Sequence, residues 1–394
     1  AINNADKLTL TDVRVDAGGE NTGTLSAHNL TASSLKNEGT VTLGGTNDLP
    51  ALDNAGSVTV DGGVLKLSTL SGNGTLTMNG ATLDGTSLST QNKVVANGMT
   101  LADGMTLFDV KELEVKEQTT LDLKQALTSV DSVKNEGSLI ANKDISLGAL
   151  DGNGTLTVNN ATLDVADKFN TSNKVISNNM KIGDKVQEVS FGELEIKEGT
   201  TLDIDNKHVT ADKVTFGKES TLSVTLNHLA DHGTLSHEEV AGDEEAKLIL
   251  KLTEGLDQEE GIYQVFNKDN NLALEKNGLI DVIDMQDGSY KVAKKSVETL
   301  SQELGTTKEE ATVANALLSG NSEKEEFVQV QTELLDALQS ENKATFEKAK
   351  KALNAVGSGN TSIYQAQATA HFTQMHAVIS QMLMNTSTGV FGHN

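Results

Sequence analysis

The chain contains no cysteine and no tryptophan, a single proline, Pro50, and aromatic residues at only 3% of its 394 positions. Without cysteine there are no disulfides and no thiolate metal sites, which suits a secretion route that a premature disulfide would block. Scarce aromatics beside 35 glycines fit a thin, repetitive core better than a spherical one. Basic residues are also short: 31 Lys and Arg against 56 Asp and Glu leave a net charge of −25. A surface of that sign opposes phosphate backbones, so no nucleic acid is expected as a partner. Docking on anionic lipid is disfavoured for the same reason. No run reaches the roughly eighteen apolar residues that a membrane helix needs, and no signal peptide is visible. The hydrophobic share of 37% is nevertheless too high for a disordered chain. The sequence starts at Ala1 rather than methionine, which gives the expectation of a processed N-terminus.

What the chain does have is repetition. "GNGTLTMNGATLDG" from Gly72 returns as "GNGTLTVNNATLDV" from Gly152. Shorter echoes are "LKNEGTVTL" (35–43), "LDNAGSVTV" (52–60) and "VKNEGSLIA" (133–141), with weaker copies "EQTTLDL" (117–123), "EGTTLDI" (198–204) and "ESTLSV" (219–224). A larger unit rides on these, since "NKVVANGM" (92–99) returns as "NKVISNNM" (173–180) and "ELEVKEQTTLDL" (112–123) as "ELEIKEGTTLDI" (193–204). Within each motif the aliphatics alternate with Thr or Ser, the period of a half-buried strand. The Asn-Gly or Glu-Gly pair before it is expected to supply a positive φ for a tight corner. Short strands between corners, in units of about 17 to 20 residues, predict one coil of a right-handed parallel β-solenoid, a β-helix, over residues 1–245. A β-sandwich of hairpins is the rival, because Asn-Gly corners also make hairpins. The recurrence of one strand type favours the solenoid.

From Ala246 the strands lengthen and gain Tyr263, Phe266 and Tyr290, which predicts a small β capping module over 246–296. Residues 297–394 read as an α-helical C-terminal region. Thr307 with Glu310, and Ser322 with Glu325, form capping boxes. Phe327, Val330, Leu334 and Leu338 make an apolar stripe, Gly357 is the expected stop of a helix, and Phe372, Met375, Ile379 and Met382 line one side of the last segment.

A Gly/Asn/Thr-rich solenoid, then "GIYQVF", "NGLIDV" and "DGSYKV", then an Ala-rich helical run, resembles the β-helical, adhesin-like passenger domain of bacterial autotransporters, the type V secretion family. The resemblance implies a secreted or cell-surface location on the exterior of a Gram-negative outer membrane. It also implies an outer-membrane β-barrel translocator as a partner, with the last helix in its pore. No barrel strands follow before the sequence ends at Asn394, which fits either cleavage near the junction or a chain cut there.

Candidate chemistry is thin. "HLADHGTLSHEE" gathers His228, His232 and His237 beside Asp231, Glu238 and Glu239. On a helix His228 and His232 would share a metal. "DHG" reads as a turn, however, and no HExxH occurs, so the stretch is expected to be a solvated insertion without metal. His371 and His376 are five apart and would not share a face. No GxSxG elbow is present; "GSGN" (357–360) reads as linker or cap. The carboxylates of 112–117 and 193–198 read as a solvated strand face rather than a glycosidase pair. Asp and Asn beside glycine suggest weak calcium binding at most, since the regular nonapeptide repeat is missing. Asn-x-Thr sequons arise by chance in such a composition. The expectation is therefore a non-enzymatic, secreted or surface-displayed rigid solenoid without cofactor, catalytic residue or metal. It would mediate adhesion to host or cell-surface ligands, or self-association of identical chains, including as a filament subunit. The alternative is an enzyme carried on the solenoid, a glycan lyase or peptidase.

Overall fold

The computed structural model describes residues 1–226, 228–242, 245–252, 259–275, 280–319 and 342–359, with isolated helical positions at 333 and 337. Two compact units emerge. The first comprises Ala1–Leu222, Leu235–Lys247 and Asn271–Ala273, and the second Ser223–Thr234, Leu248–Asn270 and Leu274–Asn394.

The first unit is a parallel β-solenoid, and the solenoid has about 12 turns. Its strands pair with the strand one coil on, not with their sequence neighbours, so hairpins are not its building block. Thr40–Gly44 sits on Ser57–Asp61 and this on Thr75–Asn79, all parallel and in register. The alternation in each motif explains the core. Leu25, Val41, Val58, Leu76, Val94, Leu113, Val133 and Leu150 stack one above another, and none is more than 3% exposed. A second column runs through Leu121, Leu139, Leu156, Val175, Leu194 and Val214. Burying each such side chain contributes roughly 1.5–3 kcal/mol, but only with a neighbour above and below, which is why the array must be long.

The corners differ from expectation. The repeat-motif glycines Gly39, Gly56, Gly74, Gly137 and Gly154 are not among the positive-φ residues. They are glycine because the coils approach too closely for anything else. A Cβ at Gly39 would collide with the carbonyl oxygen of Gly23, one at Gly56 with that of Gly39, and one at Gly74 with that of Gly56. Positive φ falls instead on the first glycine of each "GNG", Gly72 at +84° and Gly152 at +92°.

An unforeseen feature fills the corners. Asn4, Asn21, Asn37 and Asn54 are buried and form a ladder in which each side-chain amide donates to the Oδ1 one coil on, at 2.7, 2.9 and 2.9 Å. Asn54 then reaches past a coil to Asn92 Oδ1 at 2.8 Å. The skipped coil is Gly72-Asn73-Gly74. There a side chain at position 72 would strike the Asn54 carbonyl, and the Asn92 amide donates to Ser71 O and Gly72 O instead. The same device recurs where Asn135 reaches Asn173 at 2.9 Å across Gly152-Asn153-Gly154, and Asn173 donates to Asp151 O and Gly152 O. The doubled phrase thus marks two places where a ladder skips a coil. They are not on the same face. Thr75–Asn79 belongs to the fifteen-stranded sheet and Thr155–Asn159 to the eight-stranded one, so the echo is displaced around the coil.

In the second unit an antiparallel sheet runs in the order Gly261–Gln264, Ser289–Lys294, Ile280–Asp284. Tyr263, Phe266 and Tyr290 are buried in it, with the Phe266 and Tyr290 rings edge to face at 6.3 Å. Among the described residues the helices that follow are α1 (Val297–Leu304), α2 (Lys308–Ser319) and α3 (Lys343–Gly359). Ser296 caps α1 by accepting from the Thr299 N–H. The capping box of α2 is present in both directions: the Thr307 N–H donates to Glu310 Oε2 at 3.0 Å, and the Glu310 N–H to Thr307 Oγ1 at 3.2 Å. Gly357 does not stop α3, which runs through it to Gly359. The Ser322–Glu325 box, the stripe of Phe327, Val330, Leu334 and Leu338, and the face of Phe372, Met375, Ile379 and Met382 lie outside the described residues, as do His371 and His376.

Candidate functional site

The strand alternation that sends aliphatics inward sends hydroxyls outward. Over four consecutive coils the outward positions form two columns, Thr24, Thr40, Ser57, Thr75 and Ser26, Thr42, Thr59, Thr77. All are exposed or half-exposed, and none carries charge. The grid has steps of about 4.8 Å between coils and roughly 7 Å along each strand. Its continuation is charged, with Lys93 beside Thr75 and Glu112 beside Lys93. These uncharged columns, bordered by Lys7 beside Thr24 and by Asp61 on the strand of Thr59, are where two chains of net charge −25 repel least.

Of the carboxylates read as a solvated face, Glu112, Glu117 and Glu198 are exposed as expected, whereas Glu114 and Glu195 are partly enclosed. Only 13% of the Glu114 side chain is exposed, and it lies 3.0 Å from Lys93 Nζ and 2.9 Å from Lys116 Nζ. The hydrogen bond from Lys116, joined by that from Lys93, holds its carboxyl below the ordinary range despite partial burial. The second copy repeats this with Lys174 and Glu195 at 2.8 Å. Glu114 is thus neutralised by lysines on its own and the preceding coil, and Glu195 by Lys174 on the preceding coil.

The histidine stretch is a turn, not a helix: the His228 and Asp231 backbones bond to each other in both directions at 3.2 Å. It is not a solvated insertion throughout. His232 is 7% exposed, with Nδ1 2.9 Å from the Gly233 carbonyl and its ring edge to face with Tyr263 at 5.1 Å. His237 is 2% exposed, on strand Thr234–Gly242. These rings follow strand alternation and aromatic packing. Among the described residues no group of three or more His, Cys, Asp or Glu is placed to hold a metal ion.

Concavities on the solenoid surface, among the described residues, include two that cross its outward columns. One, of about 220 Å³, lies over Thr9, Leu10, Ser26, His28, Thr42 and Asp61 at the N-terminal coils. The other, of about 310 Å³, crosses three coils between Lys168 and Thr210. In the second unit Ile262, Lys291 and Ile283 form a row across the antiparallel sheet, with the isoleucines 55% and 57% exposed. Strand propensity conceals such surfaces, because Thr and Ser are ordinary outward residues of any sheet. The exact spacing of the repeats was the available signal for the hydroxyl grid. Comparison with protein-family models, with curated proteins and with solved structures returned no match. No helix among the described residues is long and apolar enough to cross a membrane.

Proposed function

We propose that the protein is a secreted or cell-surface structural solenoid of the autotransporter-passenger kind, acting by adhesion and self-association rather than by catalysis. The observation that carries this reading is the uncharged hydroxyl grid centred on Thr42 and Thr59. Hydroxyls donate and accept, so a second copy of the grid turned through a two-fold axis meets matching partners. Each contact is weak, and many in register multiply through avidity. The remaining acidic surface keeps copies apart except along this face. Identical chains are therefore the proposed partners, and a β-barrel translocator is the proposed route to the cell exterior.

The test is sedimentation velocity across a concentration series, comparing the natural chain with Thr42→Glu/Thr59→Glu. The natural chain should associate as concentration rises, and more strongly at high salt, where its acidic surface is screened. The doubly charged variant should stay monomeric with unchanged circular dichroism. A natural chain that remains monomeric at every concentration and salt would refute the reading.

A further inference from the structure

The duplication inside the chain supplies a comparison between two copies of one scaffold. Residues 86–135 and 167–216 correspond without a gap, Lys93 matching Lys174, Glu114 matching Glu195 and Asp122 matching Asp203. Three inward positions stay apolar and buried: Leu88 against Phe169, Phe108 against Val189, Val110 against Phe191. Outward positions on one face do not keep their character. In the first copy Ser87, Leu107 and Leu127 follow one another across three coils, with the leucines 37% and 51% exposed. In the second copy the same row is Lys168, Glu188, His208. The row beside it changes from Ser89, Asp109, Ser129 to Asn170, Ser190, Thr210. In the second copy these side chains line the groove of about 310 Å³, with Phe169 and Val189 as its floor.

The second face holds six polar groups of mixed kind: an ammonium, a carboxylate, an imidazole, an amide and two hydroxyls. A polyanion would meet Glu188 and the net charge of −25, and a polycation would meet Lys168. An apolar ligand would strip water from the exposed Lys168, Asn170, Glu188 and Thr210 without replacing a hydrogen bond, which is unfavourable at every group. A ligand whose every position both donates and accepts satisfies the whole array. We propose that this groove binds a neutral, polyhydroxylated ligand, a short oligosaccharide laid across the coils of Lys168, Glu188 and His208. This adds a ligand class to the adhesive part of the reading above and rests on that part alone, since the hydroxyl grid lies on other coils.

The probe is a panel of neutral oligosaccharides built from hexoses and N-acetylhexosamines, with sialylated and sulfated members as acidic controls. Binding is measured by saturation-transfer NMR and calorimetry on the Thr42→Glu/Thr59→Glu chain, so that failure of self-association and failure of saccharide binding are read separately. At least one neutral member should bind with millimolar or better affinity. Lys168→Ser/Glu188→Leu/His208→Leu installs the residues of the first copy, which the same scaffold already carries, and should weaken binding about tenfold or more. Glu188→Ala alone should weaken it in the same direction, which keeps the test open if the triple variant misfolds. The proposal is overturned if no neutral member binds, if only acidic members bind, or if a folded variant keeps the natural affinity.

Discussion

Asparagine 37 is the position where one substitution tests the ladder most sharply. Its Oδ1 accepts from Asn21 Nδ2 at 2.9 Å and from the Gly39 N–H at 3.1 Å. Its Nδ2 donates to Asn54 Oδ1 at 2.9 Å, Gly39 O at 3.1 Å and Ser57 O at 3.2 Å. In Asn37→Ala, Asn21 keeps Gly23 O and Thr40 O as acceptors, and the Gly39 N–H keeps Asn21 O. Asn54 Oδ1 loses its donor while buried, at a cost of about 1–3 kcal/mol, and the lost bonds add roughly 1 kcal/mol each. The expected loss is about 3–4 kcal/mol. Because each coil leans only on its neighbours, the effect is local. Hydrogen exchange at the Thr40 and Ser57 amides should accelerate by roughly 10²–10³-fold, at 1.4 kcal/mol per factor of ten. The control is Asn79→Ala. Asn79 makes the same kind of bond to Asp61, at 2.8 Å, but in an exposed position, so it should cost about 0.5 kcal/mol or less. Equal effects at the two sites would refute the view that burial gives the ladder its strength.

Gly56→Ala should destabilise by about 1–3 kcal/mol through collision with the Gly39 carbonyl. Gly80→Ala should cost less although Gly80 has a φ of +57°, because its Cβ would meet open space; urea midpoints decide the order. Glu114 has a folded pKa lowered by Lys116 and Lys93. It therefore contributes stability above its unfolded value near 4.5, and that contribution is lost as pH falls through the folded value. Glu114→Gln should flatten the acid limb of a stability-against-pH profile, and an unchanged limb would count against the ion pairs. Tyr290, its phenol pushed up to about 12 chiefly by burial, stabilises its sheet fully below pH 10.0 and loses that effect as pH rises through about 12. Absorbance titration should show its ionisation coinciding with unfolding of the second unit, and separate transitions would refute the coupling.

The coil and its core were legible because alternation carries a direct physical meaning: Leu156 and Val158 must share a face, and so must Thr155 and Thr157. The corners were misjudged for an equally physical reason. Glycine serves both positive φ and close approach, and only the neighbouring coil reveals which operates at Gly39 or Gly56. The asparagines at 4, 21, 37 and 54 were visible at one-coil spacing, but Asn also favours turns, so their inward orientation stayed hidden until the carbonyls they satisfy were in place. The displaced echo could not be read either, because coil length varies along the stack. Val41 faces Leu25 from 16 residues on, whereas Val133 faces Leu113 from 20. His232 and His237 were read as solvated from their polar surroundings, yet their burial depends on Tyr263 and on strand alternation, partners distant in sequence or set by register. The α2 capping box was fully legible, since it is a local bond between Thr307 and Glu310.

Every surface argued above exists only if successive coils run parallel and in register, and the absence of native cysteine makes that directly testable by engineered crosslinking. In the parallel register Thr40 faces Ser57 and Thr42 faces Thr59; in an antiparallel arrangement keeping Thr42 opposite Thr59, Thr40 would face Asp61. Thr40→Cys/Ser57→Cys should therefore form a disulfide readily on mild oxidation, while Thr40→Cys/Asp61→Cys should not. Crosslinking of the second pair in preference to the first would contradict the solenoid and everything placed upon its faces.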